Sequence, residues 1–199
     1  MRGKRSIFLS LAVIGLVAAM ITAATSAVFT DAATSTDNKF NTGTLDIKLK
    51  DDNEGPADDV SASITFDNMA PGDSVVKPIT VSNLGSLGLR YALTSSSTND
   101  DKKDLAGQIV LKIVKVADAG SCAASAFSGS PTYAYNGALS KAVFGDVATG
   151  AQSGDRPLVA AGSEVLCLQA SLPLATGNEF QGAATVTTFT FTAEQTANN

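Results

Sequence analysis

AATVTTFTFTA, residues 183 to 193, alternates with period two: Thr187, Phe189 and Phe191 fall on one face, and Thr188, Thr190 and Thr192 on the other. Successive side chains of a strand point to opposite sides, so this is a β-strand with one buried and one wetted face. Threonine suits the wetted face, because its branched Cβ favours extended backbone and its hydroxyl tolerates water.

The same alternation recurs outward from this segment. Glu164 to Leu174 aligns Leu166, Leu168, Ala170, Leu172 and Leu174, and the turn Thr176-Gly177-Asn178 follows. Gln108 to Val116 places Ile109, Leu111 and Ile113 on one side and Val110, Val114 and Val116 on the other; apolar on both sides, it predicts a central strand. Leu87 to Thr94 sets Leu87, Leu89, Tyr91 and Leu93 against Gly88, Arg90, Ala92 and Thr94. Ser74 to Asn83 carries Val75, Ile79 and Val81 on one face, with Lys77 interrupting the pattern. Pro78 lacks an N–H, which predicts an edge position or a ladder site facing outward. Ser61 to Phe66 and Gly43 to Lys50 supply two more strands. Pro71-Gly72 between Asn68 and Asp73 predicts a type II turn, proline presetting φ and glycine accepting positive φ. Ser95 to Asp104 reads as a polar loop. The stretch from 117 to 162 is less regular, rich in Ala, Gly and Ser, and reads as an insertion on the sandwich edge; within it, Ala138 to Val147 reads as a short helix. The fold class is all-β: an antiparallel β-sandwich of about seven to nine strands, in a jelly-roll-like or immunoglobulin-like layout.

The N-terminus reads as a targeting segment. Arg2, Lys4 and Arg5 precede an uncharged apolar run from Ile7 to Ala24, and Thr25-Ser26-Ala27 offers small residues for cleavage between Ala27 and Val28. A retained membrane anchor is the other reading of that run. The domain plan is therefore a signal peptide over 1–27, an extended arm over 28–42, the sandwich over 43–195 and a tail over 196–199. After cleavage all 19 acids and 11 of the 14 bases remain, a net charge of −8. Such a chain repels nucleic acid and anionic lipid, so neither is an expected partner. Cys122 and Cys167 are the two cysteines, and export predicts that they form a disulfide.

The chain contains no histidine and no tryptophan. Imidazole-based triads and the His-Glu-x-x-His zinc helix are therefore excluded, and an aromatic sugar platform is not expected. No glycine-rich phosphate loop follows a strand, and no cofactor is expected. Acids cluster at Asp51, Asp52, Glu54, Asp58 and Asp59 and again at Asp100, Asp101 and Asp104. These read as solvated loop charges; the first cluster is also a candidate for weak Ca²⁺ binding through hard oxygen ligands. Lys77, Lys112 and Lys115 read as solvent-facing residues that protect sheet edges.

Several motifs occur in order along the chain. The leader KRSIFLSLAVIGLVAAMITAATSAVFTD is similar to signal peptides processed by SipW-type peptidases. Phe40-Asn41-Thr42-Gly43-Thr44-Leu45-Asp46-Ile47 resembles an F-x-x-G-T-L-D-L element. Met69-Ala70-Pro71-Gly72-Asp73 and Asn83-Leu84-Gly85-Ser86-Leu87 resemble L-x-P-G-D and N-x-G-S-L elements, and Thr176 to Gly182 and Phe189 to Gln195 also match. Together the chain resembles the TasA/camelysin (CalY) family of biofilm matrix proteins. The resemblance implies a jelly-roll-like fold, secretion to the matrix or cell surface, and head-to-tail self-assembly by strand donation. The donor would begin with Val28, Phe29, Thr30, Asp31, Ala32 and Ala33; on residues alone the same segment also reads as a disordered tail. A SipW-type signal peptidase and other matrix proteins are the implied partners. Camelysin also implies a surface metallopeptidase as the alternative, and a monomeric surface-displayed binding module is a third reading. Lacking histidine, a zinc site would have to use carboxylates and thiols alone. The cysteine pair lies outside the family pattern.

Overall fold

The computed structural model describes residues 43–50, 61–66, 69–146 and 148–196. Among the described residues ten strands form two antiparallel sheets. In sheet A, β1 (Ile47–Lys50), β3 (Ser74–Asn83), β9 (Ser163–Ser171), β5 (Val110–Val116) and β6 (Tyr133–Ala138) lie in the order β1-β3-β9-β5-β6. In sheet B, β2 (Ser61–Phe66), β10 (Thr185–Gln195), β4 (Leu89–Ser97) and β7 (Val143–Phe144) lie in the order β2-β10-β4-β7, and β8 (Arg156–Leu158) also pairs with β4. The fold is the antiparallel sandwich that the alternation predicts. Among the described residues no helix is long and apolar enough to cross a membrane.

The period-two faces meet in the core. Sheet A contributes Ile79, Val81, Leu111, Ile113, Leu166 and Leu168, and sheet B contributes Leu89, Tyr91, Leu93, Phe189 and Phe191, all essentially inaccessible to solvent. The two faces of β10 differ as the alternation predicts: Thr187, Phe189 and Phe191 are buried, while Thr188, Thr190 and Thr192 are not.

Several boundaries move. The strand expected over 87–94 runs from Leu89 to Ser97, because Ser95 to Ser97 continue the ladder with β10 up to the pair Thr187↔Ser97. Leu87 instead gives its N–H to Thr44 O. Tertiary pairing here overrides the weak strand preference of serine. The expected helix over 138–147 is absent: Ala138 ends β6, a 3₁₀ turn covers Leu139–Lys141, and Val143–Phe144 is β7. Leu139 N donates to Ile109 O, and Ala142 N, which a continuous helix would direct to Ala138 O, donates instead to Ser95 Oγ. Among the described residues a short helix, α1 (Leu105–Gln108), lies between the loop expected over 95–104 and the strand expected over 108–116, overlapping only the first residue of that strand. The less regular stretch forms edges of both sheets, with β6 on sheet A and β7 and β8 on sheet B. Lys112 and Lys115 guard no edge, since β5 is an interior strand, whereas Lys77 lies on the stretch of β3 from Ser74 to Ile79 that, among the described residues, pairs on the β9 side only.

Pro78 is accommodated inside β3. Asn83 N donates to Gly162 O on the β9 side, and Leu84 N donates to Asp46 O on the β1 side. Alternation then directs Pro78 N toward the β1 side, where among the described residues the pairing runs no further than Lys50 opposite Thr80. The turn Ala70-Pro71-Gly72-Asp73 closes with Asp73 N to Ala70 O at 2.9 Å, and Gly72 takes φ +98° as its sequence predicts.

Cys122 and Cys167 are joined by a disulfide. Cys167 is fully buried, paired in register with Pro78 on one side and Val114 on the other. The bond fastens the segment carrying the 3₁₀ turns Ala119–Ser121 and Ala124–Phe127 over the outer face of sheet A. This covering explains why Val114 is buried although it lies opposite Ile113 on the strand.

Candidate functional site

The strands define two poles. At one pole β3 and β10 end while β4 and β9 begin; at the other β3 and β10 begin while β4 and β9 end. Each pole carries a distinct arrangement, and an ionic cluster spans the core near the first.

At the first pole the chain enters the domain. Gly43 to Asp46 run beside the turn Asn83 to Leu87. Thr44 N donates to Ser86 Oγ at 2.9 Å, and Ser86 N donates to Thr44 Oγ1 at 3.2 Å. Leu84 N donates to Asp46 O at 2.7 Å, and Leu87 N to Thr44 O at 3.3 Å. Gly85 is buried under this crossing: a Cβ there would lie 2.3 Å from Thr44 O and 2.9 Å from Asp46 N. Asn83 is fully buried and ties the turn to the rest of the fold. Its Nδ2 donates to Leu87 O at 2.8 Å and to Val159 O at 3.0 Å, while its Oδ1 accepts from Gly85 N at 3.0 Å. The G-T-L-D and N-x-G-S-L elements, forty residues apart in the chain, are thus one knot.

Near this pole Glu164 projects from β9 into the core. It is in phase with Leu166 and Leu168, and its side chain is 3% exposed. Arg156 grips it with two bonds, from Nε to Oε1 at 2.7 Å and from a terminal nitrogen to Oε2 at 2.6 Å. Tyr91 of sheet B donates its hydroxyl to Glu164 Oε1, and Lys115 Nζ stands 3.3 Å from Oε2. Phe144 packs edge-on against Tyr91 and lies under the Arg156 guanidinium. Burial pushes the Glu164 carboxyl up, but the bonds from Arg156 and Tyr91 and the charges of Arg156 and Lys115 outweigh it, and the carboxyl titrates below its usual range. Burial, reinforced by the adjacent Glu164 charge and hydrogen bond, pushes the Tyr91 phenol well up. The cluster is a neutralised clamp between sheets. Both carboxylate oxygens accept hydrogen bonds, Oε1 from Tyr91 and Arg156 and Oε2 from Arg156.

At the far pole a cleft of about 540 Å³ opens between the Pro71-Gly72 turn, Leu105 of α1, Leu172 after β9 and the loop from Thr176 to Ala184. Met69, Pro71, Leu105, Leu172 and Phe180 give it an apolar floor. Thr176 Oγ1 is buried and has no hydrogen-bond partner among the described residues. Leu174 beside it is 81% exposed.

The sequence-predicted positions divide between these regions and the rest. Ala27 and Val28, the donor residues Val28 to Ala33, and Asp51, Asp52, Glu54, Asp58 and Asp59 lie outside the described residues. Asp101 stays in the polar loop, accepting from Lys103 N and Ala184 N, which lowers its carboxyl. The Glu164 clamp was not singled out in the sequence, although its phase with Leu166 and Leu168 placed a carboxylate on an inward face. The cleft left no local signal, since its lining comes from separate loops.

A catalytic zinc needs three protein ligands and an open position. The chain offers no histidine, and both cysteines are consumed by the disulfide. Among the described residues no three of His, Cys, Asp and Glu gather where they could hold a metal. These residues do not fit such a centre.

No individual curated protein matches the chain. The family described as camelysin metallo-endopeptidase matches residues 3–199. The matched span is nearly the whole sequence and includes both halves of the knot and the Pro71-Gly72 turn, so the chain belongs to the camelysin metallo-endopeptidase family, the TasA/camelysin group that its ordered motifs resemble.

Proposed function

We propose that this protein is an exported, non-catalytic structural subunit of extracellular matrix or surface fibres. Cleavage between Ala27 and Val28 frees the arm over 28–42, and the segment Val28 to Ala33 completes a neighbouring subunit by strand donation. The observation that carries this reading is the polarity of the domain. The chain preceding Gly43 joins at one pole, and the apolar cleft opens at the other.

An extended arm of 15 residues reaches about 50 Å. The ten residues of β3 span roughly 33 Å. The arm is therefore long enough to cross from one subunit to the far pole of the next. Strand donation joins main-chain hydrogen bonds to pockets filled by alternate side chains. Val28 and Phe29 are apolar side chains for such a cleft, and Thr176 Oγ1 is a polar group that an incoming backbone could satisfy. Among the described residues β2 pairs only with β10, so it is the candidate edge beside this cleft. A head-to-tail contact of this kind does not close on itself and yields filaments. The partners are other copies of the chain, a SipW-type signal peptidase for processing, and further matrix components; the net charge of −8 left after cleavage argues against nucleic acid.

Electron microscopy of the processed protein tests the reading. Filaments are expected from a chain beginning at Val28 and only monomers from a chain beginning at Phe40. Equal polymerisation by both refutes strand donation. The family description favours a second reading, a metallopeptidase; it requires chelator-sensitive cleavage of casein and bound zinc in the purified protein.

A further inference from the structure

We propose that the knot of Thr44, Ser86 and Gly85 is a positioning device for assembly, which fixes where and in what direction the arm leaves the domain. The inference rests on the strand-donation reading and adds to it the residues that hold the arm's root.

The knot is stronger than a chain entry of four residues requires. Gly43 to Asp46 precede β1 and could hang free, yet two backbone N–H groups of the turn and two reciprocal side-chain bonds bind them. Two glycines make the close approach possible. A Cβ at Gly85 would strike the backbone of Thr44, and one at Gly43 would lie 2.4 Å from the Leu87 side chain. Contact with backbone cannot be relieved by a rotamer change, so Gly85 sets the depth at which the root sits. Asn83 then carries the contact inward, to the carbonyl of Val159 through its side chain and to Gly162 through its N–H. Tension on the arm would enter the sandwich at β1 and the Asn83 turn together, rather than peel β1 alone from the edge of sheet A. Among the described residues β1 pairs over four positions, Ile47 to Lys50, so without the knot it would be a weak join between arm and domain. Thr44 and Ser86 are exposed, so a purely structural need for their hydroxyls is small.

The test uses the full processed chain in three forms: wild type, Thr44→Val with Ser86→Ala, and Gly85→Ala. The double variant removes the reciprocal bonds without touching the core and is expected to keep its unfolding midpoint within about 3 °C of wild type. Amide exchange at Thr44 and Ser86, whose N–H groups donate the two lost bonds, should rise roughly tenfold in it, because each lost bond weakens local closure. Filament yield by sedimentation and microscopy should fall at least about fivefold, and surviving filaments should break at lower shear. Gly85→Ala should reduce assembly further; if it fails to fold, the double variant alone decides. Wild-type filament yield and shear resistance in the double variant, despite faster exchange at the root, overturns the inference. Unchanged exchange overturns it as well, since the bonds would then not hold the root. Absence of filaments from the wild-type chain refutes strand donation instead, while the exchange measurement still judges the knot.

Discussion

Replacing Glu164 with glutamine tests whether the clamp between the sheets stabilises the fold. The carboxylate accepts the Tyr91 hydroxyl and two guanidinium N–H groups of Arg156. Glutamine keeps one acceptor oxygen, so the Tyr91 bond can persist, but it removes the charge and turns an amide NH₂ toward Arg156. Breaking a fully buried pair from one side costs roughly 3–5 kcal/mol. Arg156 retains 22% exposure, so its guanidinium can turn toward water. That discount brings the expected loss to about 2–3 kcal/mol. Lys115, at 62% exposure, adds little. For a domain of this size the loss lowers the thermal midpoint by about 5–10 °C, readable by calorimetry and by guanidinium titration. The pH dependence supplies an independent check. The folded carboxyl titrates below its unfolded value, so its contribution is complete above the ordinary glutamate value of about 4.3 and is lost as pH falls through the lower, folded value. Wild type and variant should therefore converge in acid. A difference below about 0.5 kcal/mol at neutral pH, the range of an ordinary surface substitution, refutes the reasoning. So does a difference that stays constant while the carboxyl is protonated.

Other consequences are equally direct. Replacing Cys122 and Cys167 together with alanine opens a loop whose ends are 45 residues apart in sequence; loop entropy assigns this about 4 kcal/mol, measurable by guanidinium unfolding, with new protease cleavage expected between 117 and 132. Ala70→Arg places a charged side chain at the exposed rim of the far-pole cleft and should suppress filaments with an unchanged unfolding midpoint; normal filaments would remove the cleft from the assembly mechanism. Tyr91→Phe should cost about 1–2 kcal/mol, and a double-mutant cycle with Glu164→Gln should give a coupling near 1 kcal/mol. Purified protein should show no stoichiometric zinc by elemental analysis and no chelator-sensitive cleavage of casein; either positive result supports the peptidase reading.

Alternation by itself determined the fold class, because a strand's two faces are written locally in residues such as Phe189, Thr190 and Phe191. It also placed the Pro71-Gly72 turn, whose conformation depends on two adjacent residues, and export chemistry pointed to the cysteine pair. Pairing partners were not local, and there tertiary structure decided. Ser95 to Ser97 are strand only because β10 lies beside them, and Leu139 and Ala142 leave a helical pattern because the core and Ser95 draw them in. Glu164 showed its inward phase in sequence, but only the packing of β9 against Tyr91 and β8 brought it the partners that make a buried charge tolerable. The knot and the cleft are assembled from segments tens of residues apart, joined by hydrogen bonds and shape rather than by spacing, so neither could be read until the two sheets had set the poles at which those segments meet.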